Sequence, residues 1–342
     1  MSDSSFHKKT YIQSSRYNWL DWMKTIGMVL IVYGHFFSLF DIYVYVFSVP
    51  LFFLISGFLS KVETENNVFF KKLWYNLVVP LIIICTMNYL IDAIRGSSFA
   101  DAQSFAKSTI IFLGKMLIGI QSAIGVFWFV YTLIILKIIL QFTKKTYIHY
   151  VWFILFSFLA YIVNNYEIDV TGGGKMLSEI NWSAINTFVS YPFFIIGHSL
   201  RKWRGKISNY ETNKLTPLWM VLSLIGIFLC GHCHQYVYLY KCSYGDSIFL
   251  CIFGGLAGSA LVFFISKYLQ KTSLKIITEI STGTIIILGF HSHLIRIFRI
   301  VFKSASVLDI LFTIITILFF IPIIRFCRAY IPIIMGKFRL SK

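Results

Sequence analysis

Charge is what this chain has least of. Of its 342 residues only 13% are Asp, Glu, Lys or Arg, while 57% are apolar and the mean hydropathy is +0.74. A soluble globular domain is about 25% charged and about 45–50% apolar, so a soluble fold is excluded. Acid is scarcer than base: 14 Asp and Glu face 31 Lys and Arg, a formal net charge of +17. Nucleic acid is nevertheless not the expected partner, because the cations lie in short loops between apolar runs and form no basic polar face. The six cysteines (Cys85, Cys230, Cys233, Cys242, Cys251, Cys327) are scattered, mostly in apolar runs, and describe no disulfide framework. Only Cys233 and Cys242 flank a loop where a bridge could close. No cleavable leader is expected, since Met1–Arg16 is polar and the long apolar run after it ends without a small-residue cleavage site. Thr171-Gly-Gly-Gly-Lys175 lacks the glycine spacing and following Ser/Thr of a phosphate loop. His232-Cys233-His234 has ligand residue types, but positions i and i+2 diverge on a helix, so no metal site is expected. No internal repeat is visible, which weakens an inverted-repeat transporter.

What the chain does have is apolar runs near the roughly 20 residues that cross a bilayer. Ten spans are expected, at about 19–40, 43–60, 73–93, 125–142, 147–163, 182–199, 216–235, 246–266, 276–293 and 307–329. The segment 104–122, interrupted by Lys107 and Lys115, reads as interfacial or re-entrant. With the N-terminus cytoplasmic, 21 Lys and Arg fall on the inner side and 8 on the outer, with Lys24 and Lys137 inside spans. The expectation is an all-α integral membrane protein of about ten transmembrane helices with both termini cytoplasmic. It comprises a tail at 1–15, a ten-helix domain at 16–335 and a basic tail at 336–342.

Lys24 and His35 stand eleven residues apart in the first span, three helical turns, so they share one stripe, about 16 Å apart along the axis, and Asp21 lies on the same stripe. Ionisable groups inside a membrane are costly and default to function. A neutral imidazole can accept a proton, which makes His35 a general-base candidate; the plain alternative is a His satisfied inside the bundle. Lys24 can instead snorkel to lipid phosphates, and Asp21 can pair with it locally. In the second span Pro50 frees a backbone carbonyl and Ser56-Gly57 allow close helix approach beside span one. Lys71 and Lys72 suit a polyphosphate headgroup or the ordinary inner excess of base. Trp128 suits an interfacial belt or a sugar-stacking platform. His291 lies near the depth of His35. Arg296, Arg299 and Lys303 follow on the outer side, against the charge rule, and an anionic substrate group would explain them. Glu279 near the inner end can pair with a lysine and is expected to be structural.

Asp21-x-x-Lys24-x10-His35, Pro50-Leu-Phe-Phe-x-x-Ser56-Gly57, Phe127-Trp128-Phe129 and Ser281 ten residues before His291 together resemble the membrane acyltransferase-3 family over about residues 16–335. The resemblance is greatest to its fucose 4-O-acetylase-like, polysaccharide-modifying branch. It implies a bacterial-type cell-membrane enzyme that moves an acyl group, usually acetyl, from cytoplasmic acyl-CoA (acetyl-CoA) to a hydroxyl of an extracytoplasmic or lipid-linked glycan. It also implies that His35 is the essential residue, that Lys24 replaces the family's common Arg, and that Lys71 and Lys72 meet the CoA phosphates. Two departures stand out: Ser48 occupies a position where relatives often carry His, and a Lys pair follows span two where Arg pairs are common. The competing expectation is an exporter or transporter in which the buried charges form a path without acyl transfer.

Overall fold

A computed structural model describes residues 17–36, 40–96, 102–165, 182–232, 237–302 and 308–336. Cys233, His234, Lys303, both terminal tails and most of the acidic, glycine-rich loop at 164–181 lie outside the described residues.

The described chain is helical almost throughout, because a backbone in hydrocarbon must satisfy its own hydrogen bonds. The helices are α1 (Asn18–Gly34), α2 (Asp41–Leu59), α3 (Asn66–Arg95), α4 (Ala102–Ile118), α5 (Gln121–Phe142), α6 (Thr146–Asn165), α7 (Thr187–Leu200), α8 (Arg204–Asn209), α9 (Thr216–His232), α10 (Ile248–Leu269), α11 (Lys275–Thr282), α12 (Thr284–Phe302) and α13 (Asp309–Tyr330). Seven of these, α2, α3, α5, α6, α10, α12 and α13, are long and apolar enough to cross a membrane, and α9 is a shorter apolar helix. At 17 and 14 residues, α1 and α7 are short for a span. Large side chains such as Leu222, Phe228, Phe249 and Ile300 stay exposed on the outer helix faces, the surface a lipid-solvated bundle presents.

Three local features bear on the sequence reading. The expected span 276–293 is two helices, α11 and α12, divided at Gly283, whose N–H bonds back to the Glu279 and Ile280 carbonyls. The connection before α10 is a short two-stranded antiparallel hairpin, β1 (Val237–Tyr238) with β2 (Ser243–Tyr244), within a fold that is otherwise all-α. The segment 104–122 forms most of α4, which is not among the seven candidates and ends at a left-handed turn on Gly119.

Helix α2 is the hub, packing on α1, α7, α9 and α10. Its closest neighbour is α7, not α1 as the Ser56-Gly57 pair suggested. A Cβ on Gly57 would overlap the Phe194 carbonyl oxygen, and one on Gly197 would overlap the Leu54 carbonyl oxygen. The two backbones therefore touch at a reciprocal glycine crossing, the small-residue contact that draws helices together in lipid.

At one end of the bundle, polar side chains tie α1, α11 and α13 together. Asp21 accepts a 2.6 Å bond from the Ser281 hydroxyl, and Thr25 donates to the Ile277 carbonyl at 3.1 Å. Buried Glu279 takes a two-armed hydrogen bond from Arg325 at 2.9–3.1 Å. Its partner is thus an arginine of α13 and not a lysine.

Candidate functional site

Lys24, Met28, Ile31 and His35 recur on one face of α1 and line a cavity of about 250 Å³. Val49, Phe52, Ser56 and Leu59 of α2 wall it with the same periodicity, and Trp128 and Leu133 of α5 and Thr284 and Leu288 of α12 close it. Beyond His35 a second cavity of about 490 Å³ opens, lined by Tyr45, Asn88, Asp92, Tyr238, Lys241 and Arg296 among others. His35, Val49, Val126 and Trp128 line both cavities. The imidazole therefore stands at the partition between a largely apolar chamber on the Lys24 side and a wider polar and aromatic one on the Arg296 side.

The end of α1 is what presents that ring. The helix stops at Gly34 and His35 is its C-terminal cap. A helix end leaves carbonyls without partners, and here side chains meet them. Tyr45 donates to the Gly34 carbonyl at 2.9 Å, and Arg299 donates to the His35 carbonyl at 2.7 Å, a cation at the negative end of the helix dipole. His35 Nδ1 lies 2.8 Å from the Ile31 carbonyl. A carbonyl only accepts, so the neutral ring carries its proton on Nδ1 and leaves Nε2 with a lone pair. The His291 ring, fully buried, meets the His35 ring edge to face with centroids 4.7 Å apart. His291 Nδ1 is likewise directed at backbone carbonyls of its own helix, Ile287 and Leu288, while its Nε2 has no hydrogen-bond partner among the described residues.

The structure thus brings Lys24, His35 and Trp128 into one cavity, sets Arg296 on the second, and places His291 and Arg299 against His35. It does not bring the remaining sequence candidates to the cavity walls. Asp21 belongs to the contact with Ser281. Lys71 and Lys72 are exposed on α3, and Lys72 pairs with Glu63 at 2.9 Å; neither lines either of these two cavities. Arg296 shares Asp92 with Arg95, at 3.3 and 3.0 Å.

Sequence reasoning missed Tyr45, Asn88, Asp92, Tyr238 and Lys241. The one available signal was the dense run Tyr238-Leu-Tyr240-Lys241 in a connection between spans. Nothing local marks Asn88, whose Oδ1 accepts from His293 Nε2 at 2.9 Å only because α3 and α12 are adjacent.

A family model described as an acyltransferase domain, acyltransferase-3, matches residues 17–326. The chain belongs to the acyltransferase-3 family. The matched segment runs from the residue before α1 into α13 and contains every wall of both cavities. The protein is therefore an acyltransferase of the multi-pass membrane type. No curated protein and no solved structure matches the chain.

Proposed function

We propose that this acyltransferase moves an acetyl group from acetyl-CoA, arriving on the cytoplasmic side, to a hydroxyl of an extracytoplasmic or lipid-linked glycan at a bacterial-type cell membrane. The observation that carries the reading is the position of His35 on the wall of both cavities. Two substrates that approach from opposite faces of a bilayer need one reacting centre reachable from each, and His35 is a base at such a point. In this reading ten helices cross the membrane with both termini inside, and the Lys24 chamber faces the cytoplasm.

In the proposed reaction the thioester reaches up the narrow chamber past Lys24, and the CoA phosphates stay outside near Lys71 and Lys72. The sugar enters the wider cavity, where Tyr45, Tyr238 and Trp128 offer apolar ring faces and Arg296 and Asp92 offer hydrogen bonds. His35 Nε2 takes the proton of the acceptor hydroxyl as its oxygen attacks the thioester carbon. The C–S bond then breaks and the imidazolium returns the proton to the leaving sulfur, giving an ester and free CoA. Arg299 and His291 touch His35 itself, so their assigned role is to hold the base.

The test compares surface glycans by mass spectrometry in cells carrying the parent gene, no gene, or His35→Ala. Gain of one acetyl group per acceptor only with the parent, at equal membrane levels of both proteins, supports the reading. Acetylation retained in His35→Ala ends the mechanism, and failure of purified protein to bind acetyl-CoA at millimolar concentration ends the choice of donor.

A further inference from the structure

A third depression lies on α1 and α2, backing onto the Lys24 chamber through the shared residue Ile55. Trp19, Met23, Phe58, Leu200, Leu256 and Phe263 help wall this groove of about 330 Å³. Its lining offers almost nothing polar: the one hydroxyl-bearing residue, Ser259, directs its Oγ onto the Gly255 carbonyl at 2.7 Å. A groove of carbon cannot bind a sugar or a nucleotide, whose polar atoms would lose water without a partner.

Its rim is the opposite. The segment Arg201-Lys202-Trp203-Arg204-Gly205-Lys206 runs into Ile207, itself a groove residue. Arg204 lies over the Tyr17 ring at 4.7 Å and donates from Nε to the Tyr17 hydroxyl at 2.8 Å. The Tyr17 ring packs 6.2 Å from Trp19, which lines the groove and has Lys267 Nζ 5.8 Å from its ring. Lys202 and Lys206 bracket Trp203 at 5.7 and 4.8 Å, and Trp203 is 45% exposed. An exposed tryptophan set between lysines beside a hydrocarbon slot is the chemistry of a membrane interface.

We propose that this groove binds an anionic glycerophospholipid, one acyl chain lying between α1, α2 and α10 and the phosphate headgroup held by Arg204 and Lys206. Charge complementarity selects this occupant. The rim offers cations to a headgroup, and a guanidinium fork already fixed on Tyr17 is geometrically suited to phosphate oxygens. A zwitterionic lipid fits the slot equally but brings no net charge to the rim. Because the groove backs onto the helix that carries Lys24 and His35, a bound lipid would brace the face of α1 next to the catalytic chamber. The proposal requires only that the protein sits in a bilayer; it holds whichever acyl acceptor is used.

The test uses the full-length protein, stripped of lipid and reconstituted in phosphatidylcholine containing a minor share of phosphatidylglycerol, with retained lipid read by native mass spectrometry. The parent should keep phosphatidylglycerol in preference to phosphatidylcholine. Arg204→Gln/Lys206→Gln should weaken that retention about 30-fold, from roughly fivefold per interfacial cation. Ala260→Phe, which fills the groove, should abolish it, and Lys144→Gln/Lys145→Gln at another basic turn should leave it intact. Equal retention of the two lipids, undiminished retention in the rim and groove variants, or equal loss in the Lys144/Lys145 variant would each overturn the proposal.

Discussion

Replacing Gly57 by Ala adds one carbon atom at the tightest point of the bundle. That Cβ would overlap the Phe194 carbonyl oxygen and stand 3.0 Å from the His198 amide nitrogen. Both obstacles are backbone, so no side chain can rotate out of the way and α2 must move from α7, by about 1.5 Å to restore ordinary contact. Overpacking of this kind costs about 1–3 kcal/mol, and a gap of about 1 Å forfeits up to half of each dispersion contact along the crossing. The same displacement reaches the chemistry, because Val49, Phe52, Ser56 and Leu59 of α2 wall the chamber that ends at His35. A misplacement of about 1 Å lowers turnover about 100-fold. Gly197→Ala should behave alike, since its Cβ overlaps the Leu54 carbonyl oxygen at the reciprocal position. The double variant should cost clearly less than the sum of the two, because one separation relieves both clashes. Melting of the detergent-purified protein, followed by gel filtration, measures stability, and acyl transfer in proteoliposomes measures function. Parental melting and turnover in either single variant, or strict additivity in the double, would refute the backbone-contact argument.

If His35 is the base of the proposed reaction, His35→Gln should lower the turnover of acyl transfer by about 10²- to 10⁴-fold, while affinity for the proposed donor acetyl-CoA, by calorimetry, changes little. Loss of binding with little loss of turnover would contradict the assignment. Ser281→Ala removes the 2.6 Å donor to buried Asp21 and should destabilise the protein by about 1–3 kcal/mol in a thermal melt; an unchanged melt would show that this contact contributes nothing. Burial in the hairpin pushes the Cys242 thiol up to about 12, so at pH 8 only about one molecule in ten thousand carries the thiolate. Maleimide labelling of Cys242, mapped by peptide mass spectrometry, should therefore be slow and rise about tenfold per pH unit from 7 to 9. A plateau within that range would show an ordinary thiol.

Membrane residence followed from composition alone, because a chain with so little charge cannot cover a water-facing surface. The alignment of Lys24 with His35 was equally readable, since eleven residues is close to a whole number of helical turns and an α-helix carries that regularity without help from its neighbours. The motif spacing was enough to suggest acyltransferase-3 before any fold was in view. What no local pattern encoded was which helices meet. Gly57 announces a close approach but not that Gly197, 140 positions later, supplies the other half. Glu279 announces a partner but not Arg325. The wider cavity is assembled from α2, α3, α5, the hairpin and α12, so Asn88, Asp92 and Lys241 acquire a common purpose only when those elements converge. Periodicity is a property of one helix and is written in consecutive residues; a cavity with His35 on the wall between two chambers is a property of how several helices pack, and packing is decided by shape at contacts far apart in the chain.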